Sequence, residues 1–192
     1  SDQEIETIAQ TIAAGLSPSL VERASADSHP SSRASRAMAE QAPPAPVAAQ
    51  LGIFATVDEA ARAAHAAQPV FVALPLTIRA AIIAAIRETM RVNGAALAKS
   101  AHDETGLGRY EDKIVKNRLV TERTPGIEDL APTAVSGDHG LMLVEPAPFG
   151  VIGAITPSTN PTSTIICNAI GMLAAGNAVV FCVHPLARAC SM

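Results

Sequence analysis

The strongest constraint on the fold is a pattern in the last third of the chain, where two apolar segments flank a polar turn and an apolar helix. Residues 151–155 form a β-branched run without polar alternation, which is typical of a strand buried on both faces. A proline-containing turn follows at 156–161, then an apolar helix to about residue 174 and a second buried strand at 178–183. The pattern predicts a βαβ unit. In such units ligands bind at the carboxyl ends of the strands, which is where the turn lies.

Several helices are predicted to precede this unit. Thr56-Val-Asp-Glu59 has the form of a capping box and opens an Ala-rich helix, which Pro69 is predicted to stop. The next helix is predicted over residues 77–91. Asn93 is expected to cap a separate helix that ends at Thr105. Together these segments predict a helical layer beside the sheet.

Apolar residues in the 77–91 helix recur at helical spacing and predict one buried face. Its outer face is predicted to carry Arg79, Arg87 and Arg91. A charged helix is predicted over 109–123, and its carboxylates, with that of Glu104, are interpreted as solvated. Residues 132–146 have the pattern of a β-hairpin.

Several short motifs carry a family resemblance. They are Glu104-Thr-Gly-Leu-Gly108, Glu111-Asp-Lys113, Lys116-Asn117, Thr124-Pro-Gly-Ile-Glu-Asp-Leu130, Pro157-Ser-Thr-Asn-Pro-Thr162 and Gly176-Asn-Ala-Val-Val-Phe-X-X-His-Pro185. From about residue 53 to residue 192 the chain resembles the aldehyde dehydrogenase superfamily. Its motifs are similar to those of the CoA-acylating branch. The resemblance implies an α/β fold in which a helical layer joins the start of a Rossmann-like parallel sheet. It also implies a homo-oligomer, with the hairpin near 132–146 as part of an oligomerisation arm.

The same resemblance implies the chemistry. In this branch a cysteine thiolate attacks a small aldehyde, hydride passes to NAD, and coenzyme A then takes the acyl group as co-substrate. An Asn side chain in the turn after the first strand donates to the developing oxyanion. Asn160 is the candidate for this role, and an ungapped count back from Gly176 places Thr159 there instead. Both assignments stay open.

The cofactor cleft is implied at the same edge of the sheet. Its candidate lining residues are Thr156, Pro157, Ser158, Cys182 and His184. Cys182 falls where hydrolytic relatives have a lysine that holds the adenosine ribose, and it either lines the pocket or serves only packing. His184 is either a ligand contact or an ordinary surface histidine.

The catalytic cysteine of the family has no counterpart in residues 1–192. The three thiols are Cys167, Cys182 and Cys190, and none lies in a context that resembles the family's catalytic loop. The chain is therefore predicted to be the N-terminal portion of the enzyme, which does not complete the reaction by itself.

Residues 1–18 have the pattern of an amphipathic helix that begins with a capping box. Residues 19–50 are rich in Ala, Ser and Pro and are predicted to be a disordered linker. By resemblance, such a helix is an encapsulation peptide that docks to a shell protein, which implies a cytoplasmic location inside a bacterial microcompartment. Two rival functions stay open: a non-catalytic recruitment module that works through 1–18, and a hydrolytic aldehyde dehydrogenase.

Composition excludes other classes. The net charge of −4, with both signs mixed along the sequence, does not indicate a basic surface that would bind nucleic acid. No apolar run approaches the ~20 residues that span a bilayer, so no membrane association is expected. The five histidines are dispersed and predict no metal site. Three cysteines without a CxxC pair favour a reducing cytosol.

Overall fold

The computed structural model describes residues 52–192, so the predictions for 1–18 and 19–50 lie outside the described residues. The elements in chain order are α1 (Val57–Val72), α2 (Leu76–Thr105), α3 (Tyr110–Arg123), β1 (Thr133–Gly137), β2 (Gly140–Val144), β3 (Val151–Ile155), α4 (Pro161–Ala174) and β4 (Ala178–Cys182). Short 3₁₀ helices occupy Ile127–Leu130, Pro185–Ala187 and Ala189–Ser191.

The predicted βαβ unit is confirmed, but the prediction that its strands are buried on both faces is wrong: β4 is half-buried throughout, and Ile155 of β3 is 86% exposed. Strands β3 and β4 pair in parallel, from Val151 opposite Ala178 to Ile155 opposite Cys182, and α4 is the crossover between them. Helix α1 packs against both strands. Because the two strands are parallel and in register, the bend after β3 and the segment after β4 leave the sheet at one edge.

The core lies between α2 and α4. Ile166, Ile170 and Ala174 recur every four residues along α4, so their side chains share one face, and Ile83 of α2 packs against them. All four are at most 4% exposed. Helix α2 also packs along α3, which is therefore held beside the start of α4.

The capping box of α1 is confirmed, but the predicted stop at Pro69 is wrong. The backbone N–H of Glu59 donates to Thr56 Oγ1, and the Thr56 N–H donates to Glu59 Oε2, each at 3.2 Å. The helix continues through Pro69 to Val72. Proline removes one N–H donor from a helix interior, and burial of Phe71 two residues later offsets that loss.

Helix α2 is one helix of 30 residues, so the predicted break at Asn93 is wrong. The side chain of Asn93 caps nothing, and its Nδ2 donates to the carbonyl of Thr89 at 2.9 Å. The second half of α2 is fixed by packing, because Ala98 and Ala101 are fully buried. Tertiary burial therefore overrides the local cap signal.

Two of the three arginines that were predicted to lie outside are turned inward. Arg79 Nη1 donates to the carbonyl of Ala174 at 3.0 Å, at the end of α4. Arg87 donates to the carbonyls of Thr121 and Thr124 at the end of α3. Only Arg91 is exposed as predicted. The last carbonyls of a helix lack intrahelical donors and attract cations, and that is the reason for the inward orientation.

The hairpin pairs β1 with β2, from Thr133 opposite Val144 to Gly137 opposite Gly140. Ser136 and Gly137 belong to β1, so the turn between the strands consists of Asp138 and His139. All ten strand residues are exposed, including several apolar ones of β2. The role of this arm in oligomerisation stays a prediction.

Candidate active site

The bend between β3 and α4, residues 156–160, lies beside the carboxyl end of β4. Thr156 is buried and ties the two together: its N–H donates to the carbonyl of Cys182 at 3.0 Å, and its hydroxyl lies 3.4 Å from the same oxygen. Pro157 is exposed and Ser158 is half-buried. These three residues were predicted to line a cofactor cleft, and that assignment stays a prediction.

Asn160 stands at the N-cap position of α4, yet its side chain makes no capping hydrogen bond to the helix. Its Oδ1 accepts a hydrogen bond of 3.0 Å from Nζ of Lys116 on α3. Its Nδ2 lies 3.4 Å from Oγ1 of Thr159, a long contact. The two oxyanion candidates are therefore neighbours in one polar bend.

Lys113 holds the main chain of this bend. Its Nζ donates to the carbonyl of Thr159 at 3.1 Å, and the residue is 5% exposed. Burial, and secondarily the charge of Lys116, lowers the pKa of the Lys113 ammonium. Within residues 52–192 this ammonium forms no ion pair. A buried charge with one carbonyl partner fixes the backbone at Thr159 to α3.

Asn117 joins three helices. Its Nδ2 donates to the carbonyl of Gly94 on α2 at 3.0 Å, and its Oδ1 accepts from Oγ1 of Thr162 on α4 at 3.0 Å. The side chain is 1% exposed, and Thr162 is also buried. These two interior hydrogen bonds fix the start of α4 relative to α2 and α3, and they therefore fix the position of the bend.

The end of β4 and the segment that follows it lie at the same edge of the sheet as the bend. Cys182 is half-buried, which favours neither of its two predicted roles, lining the pocket or packing alone. His184 Nδ1 accepts a hydrogen bond from the N–H of Leu186 at 3.1 Å. Since that nitrogen is an acceptor, a neutral His184 carries its proton on Nε2, where it can donate to a ligand. A cofactor role for both residues stays a prediction.

Residues 47–192 match the aldehyde dehydrogenase family, which covers most of the chain. The chain belongs to that family. The resemblance inferred from the motifs is thereby confirmed.

The similar proteins are CoA-acylating aldehyde dehydrogenases. The chain is 53% identical over 141 residues to a CoA-propanoylating propanal dehydrogenase of Citrobacter freundii, covering 73% of this chain and 31% of the relative. It is 54% identical over 140 residues to an acetylating acetaldehyde dehydrogenase of Bilophila wadsworthia, covering 73% of this chain and 28% of the relative. The chain thus spans about a third of the length of the relatives it matches.

Solved structures confirm the aldehyde dehydrogenase fold. A propionaldehyde dehydrogenase of Rhodopseudomonas palustris, solved with bound CoA and an acylated cysteine, matches with a TM-score of 0.70 and 54% identity, over 73% of this chain and 32% of the other. A propionaldehyde dehydrogenase from the fucose utilisation microcompartment of Clostridium phytofermentans matches with a TM-score of 0.70 and 53% identity, over the same shares.

One thiol of this aldehyde dehydrogenase chain, that of Cys190, lies in an environment unsuited to a nucleophile. Cys167 is half-buried on α4. Cys190 is buried, and desolvation is the main cause that raises its pKa to about 11, so it is a neutral thiol at physiological pH. A nucleophilic cysteine needs the opposite shift.

Glu104 was interpreted as a solvated carboxylate; it is exposed as expected, but it also binds backbone groups. Its two oxygens accept hydrogen bonds of 2.8 Å from the backbone N–H groups of Ala189 and Cys190. These bonds lower the pKa of the Glu104 carboxyl. The side chain is exposed, yet it holds the last 3₁₀ helix against the end of α2.

Three residues that act on the bend were quoted as family motifs without being assigned to the site: Lys113, Lys116 and Asn117. Their spacing of three and four places them on one face of α3, and that spacing was the available signal. In residues 52–192 no group of three metal-ligating side chains occurs. None of the described helices is long and apolar enough to cross a bilayer.

Proposed function

We propose that this chain is the N-terminal portion of an NAD-dependent, CoA-acylating dehydrogenase that oxidises a short aliphatic aldehyde, such as propanal, to its acyl-CoA. The observation that carries the proposal is the bend at the carboxyl edge of the sheet, where Asn160 presents its NH₂ group. Identity above 50% to enzymes named for this reaction supports it.

In the proposed reaction a thiolate outside residues 1–192 attacks the aldehyde carbon, and the carbonyl oxygen gains negative charge. Asn160 Nδ2 donates to that oxygen and stabilises the charge as it develops. Thr159 Oγ1, 3.4 Å from Asn160 Nδ2, is the alternative donor. Either residue acts from a backbone fixed by Lys113, so little reorganisation accompanies the chemical step.

The residues at the edge fit a dinucleotide. Two parallel strands end together there, and Ser158 and His184 offer hydrogen-bonding groups that are only half-buried. When bound, NAD+ accepts the hydride. Because the thiol of Cys182 supplies no charged donor, neutral groups such as His184 Nε2 would contact the ribose. An engineered glycolyl-CoA reductase that is 53% identical to this chain was solved with bound NADP+, which supports a nicotinamide cofactor.

The proposed setting is the lumen of a bacterial microcompartment in the cytoplasm. The amphipathic pattern of residues 1–18 supports docking to a shell protein, with 19–50 as a tether. Similarity to a propionaldehyde dehydrogenase from a microcompartment supports the same setting. The exposed apolar residues of β2, which include Leu141 and Leu143, support a homo-oligomer assembled through the hairpin.

The test is a product assay on the full-length polypeptide that contains these residues. Propanal and NAD+ are supplied with and without CoA, NADH is followed, and the acyl product is identified by mass spectrometry. The proposal expects CoA-dependent turnover and propanoyl-CoA. Propanoate formed at the same rate without CoA would instead identify a hydrolytic enzyme. A folded protein that captures shell protein and forms no NADH would identify a recruitment module.

A further inference from the structure

We propose that Lys116 is a positioning residue of the active site: it orients the carboxamide of Asn160 and strengthens its NH₂ group as a hydrogen-bond donor. The inference rests on the proposed function, in which that NH₂ group stabilises the oxyanion.

The orientation follows from the chemistry of the partner. An ammonium has three donors and no acceptor, so the carboxamide atom 3.0 Å from Lys116 Nζ has to be oxygen. The reversed orientation would place an NH₂ group against a cation. Nδ2 of Asn160 is therefore directed away from α3, and within residues 52–192 its one polar contact is the long one to Thr159.

Lys116 also prevents a competing conformation. Asn at an N-cap normally accepts a hydrogen bond from the second or third N–H of its helix. Here those groups belong to Thr162 and Ser163, and Asn160 bonds to neither. If Lys116 were absent, Oδ1 would be free to rotate onto these N–H groups, and the NH₂ group would be carried away from its donating position.

The cation has a second, electronic effect. The ammonium hydrogen-bonded to Oδ1 polarises the carboxamide and draws electron density from its nitrogen, because oxygen and nitrogen share one π system. The N–H bonds become more polar, and hydrogen bonds within such a chain strengthen one another. The gain is larger in the transition state than in the ground state, since the acceptor is then an oxyanion.

The two lysines of α3 bind different groups of the bend. Lys113 is buried and fixes the carbonyl of Thr159, and Lys116 is exposed and fixes the side chain of the next residue. Asn117, on the same face, locks α3 to α2 and α4. Loss of Lys116 therefore changes the donor and leaves the scaffold in place.

The first measurement compares Lys116→Met, Lys116→Arg and Lys99→Met in the full-length enzyme. Lys99 is a control because it is an exposed lysine whose partner, Asp103, lies on its own helix at 2.7 Å. Lys116→Met should lower kcat by about 10-fold, a part of the loss expected from deleting an oxyanion donor, with the KM for aldehyde nearly unchanged. Lys116→Arg should restore most of kcat, and Lys99→Met should not alter it.

The second measurement is a double-mutant cycle. If Lys116 acts through Asn160, Lys116→Met should cause no further loss of kcat in an Asn160→Ala background. Equal losses in both backgrounds, or an unchanged kcat in Lys116→Met, would overturn the inference. An Asn160→Ala enzyme with normal kcat would overturn the inference together with the assignment of the oxyanion donor to Asn160, and would leave Thr159 as the donor within the proposed function. If Lys116→Met does not fold, Lys116→Gln enters the same cycle.

Discussion

The ammonium of Lys116 donates a hydrogen bond of 3.0 Å to the carboxamide oxygen of Asn160, which lies 44 residues further along the chain. The contact joins the middle of α3 to the residue before α4. The bend at the edge of the sheet is therefore held by α3 as well as by its own sequence. Substitutions on α3 should accordingly change the site without touching the strands.

Replacing Asn117 should destabilise the fold. Asn117→Ala leaves the buried Thr162 hydroxyl without its acceptor and removes the side-chain donor to the Gly94 carbonyl, which lies inside the continuous helix α2; an unpaired buried group costs roughly 1–3 kcal/mol. We expect a loss of about 2 kcal/mol in the free energy of unfolding, measured by urea denaturation. Asn93→Ala, at an exposed position of α2, is the control and should change it by less than ~0.5 kcal/mol. Equal stability of the two variants would contradict the structural role of Asn117.

Two glycine-to-alanine changes should have opposite signs. Gly176 has φ +84, and a Cβ there would lie 2.9 Å from Arg79 Nη1 and 3.1 Å from Val72 Cγ2. Gly176→Ala should therefore destabilise by about 2–3 kcal/mol, from left-handed strain plus displacement of Arg79 from the end of α4. Gly171, inside α4, has nothing within 4 Å of such a Cβ, and Gly171→Ala should stabilise by about 0.5–1 kcal/mol. Thermal unfolding of both variants would show whether the signs differ.

The sheet and the helix positions were largely predictable, and the reason is local. The β-branched runs at 151–155 and 178–183 mark strands by themselves, although only Ala154 of the two strands is buried. The capping box at Thr56 marks a helix start. The continuity of α2 through Asn93 was not predictable, because it depends on tertiary burial of Ala98 and Ala101, and Ala101 packs against Ala187 and Cys190, which are distant in sequence.

Glu104 should make the last 3₁₀ helix sensitive to acid. Backbone hydrogen bonds hold its folded-state pKa below the ordinary value. Its contribution is therefore complete above the unfolded carboxyl pKa of about 4.3 and is lost as the pH falls through the lower folded pKa. Glu104→Gln should speed amide hydrogen exchange at Ala189 and Cys190 at pH 7, and the difference from wild type should shrink in acid.

Asp103→Asn is the matched control for that experiment. It removes the same charge one residue away, and the carboxylate of Asp103 bonds Lys99 instead of the 3₁₀ helix. Exchange at Ala189 and Cys190 should then match the wild type at every pH. Equal acceleration by both variants would mean that net charge, and not the two hydrogen bonds, controls this segment.

The candidate site was predictable only in part. The turn chemistry placed Thr159 and Asn160 at the edge of the sheet, where the structure has them. The buried face of α3 was missed because it is polar, with Lys113, Asn117 and Thr121 at a spacing of four. Hydrophobic periodicity identifies apolar faces, and a polar face becomes buried only through partners that are distant in sequence.

The most direct test of the central claim is kcat of Asn160→Ala and Thr159→Val in the full-length enzyme, with propanal, NAD+ and CoA. If the bend stabilises the oxyanion through Asn160, Asn160→Ala should lower kcat by about 10²–10³-fold, and Thr159→Val should lower it far less. The reverse ranking would assign the donor to Thr159 within the same bend. Wild-type kcat in both variants would contradict the account, because the carbonyl would then be polarised elsewhere.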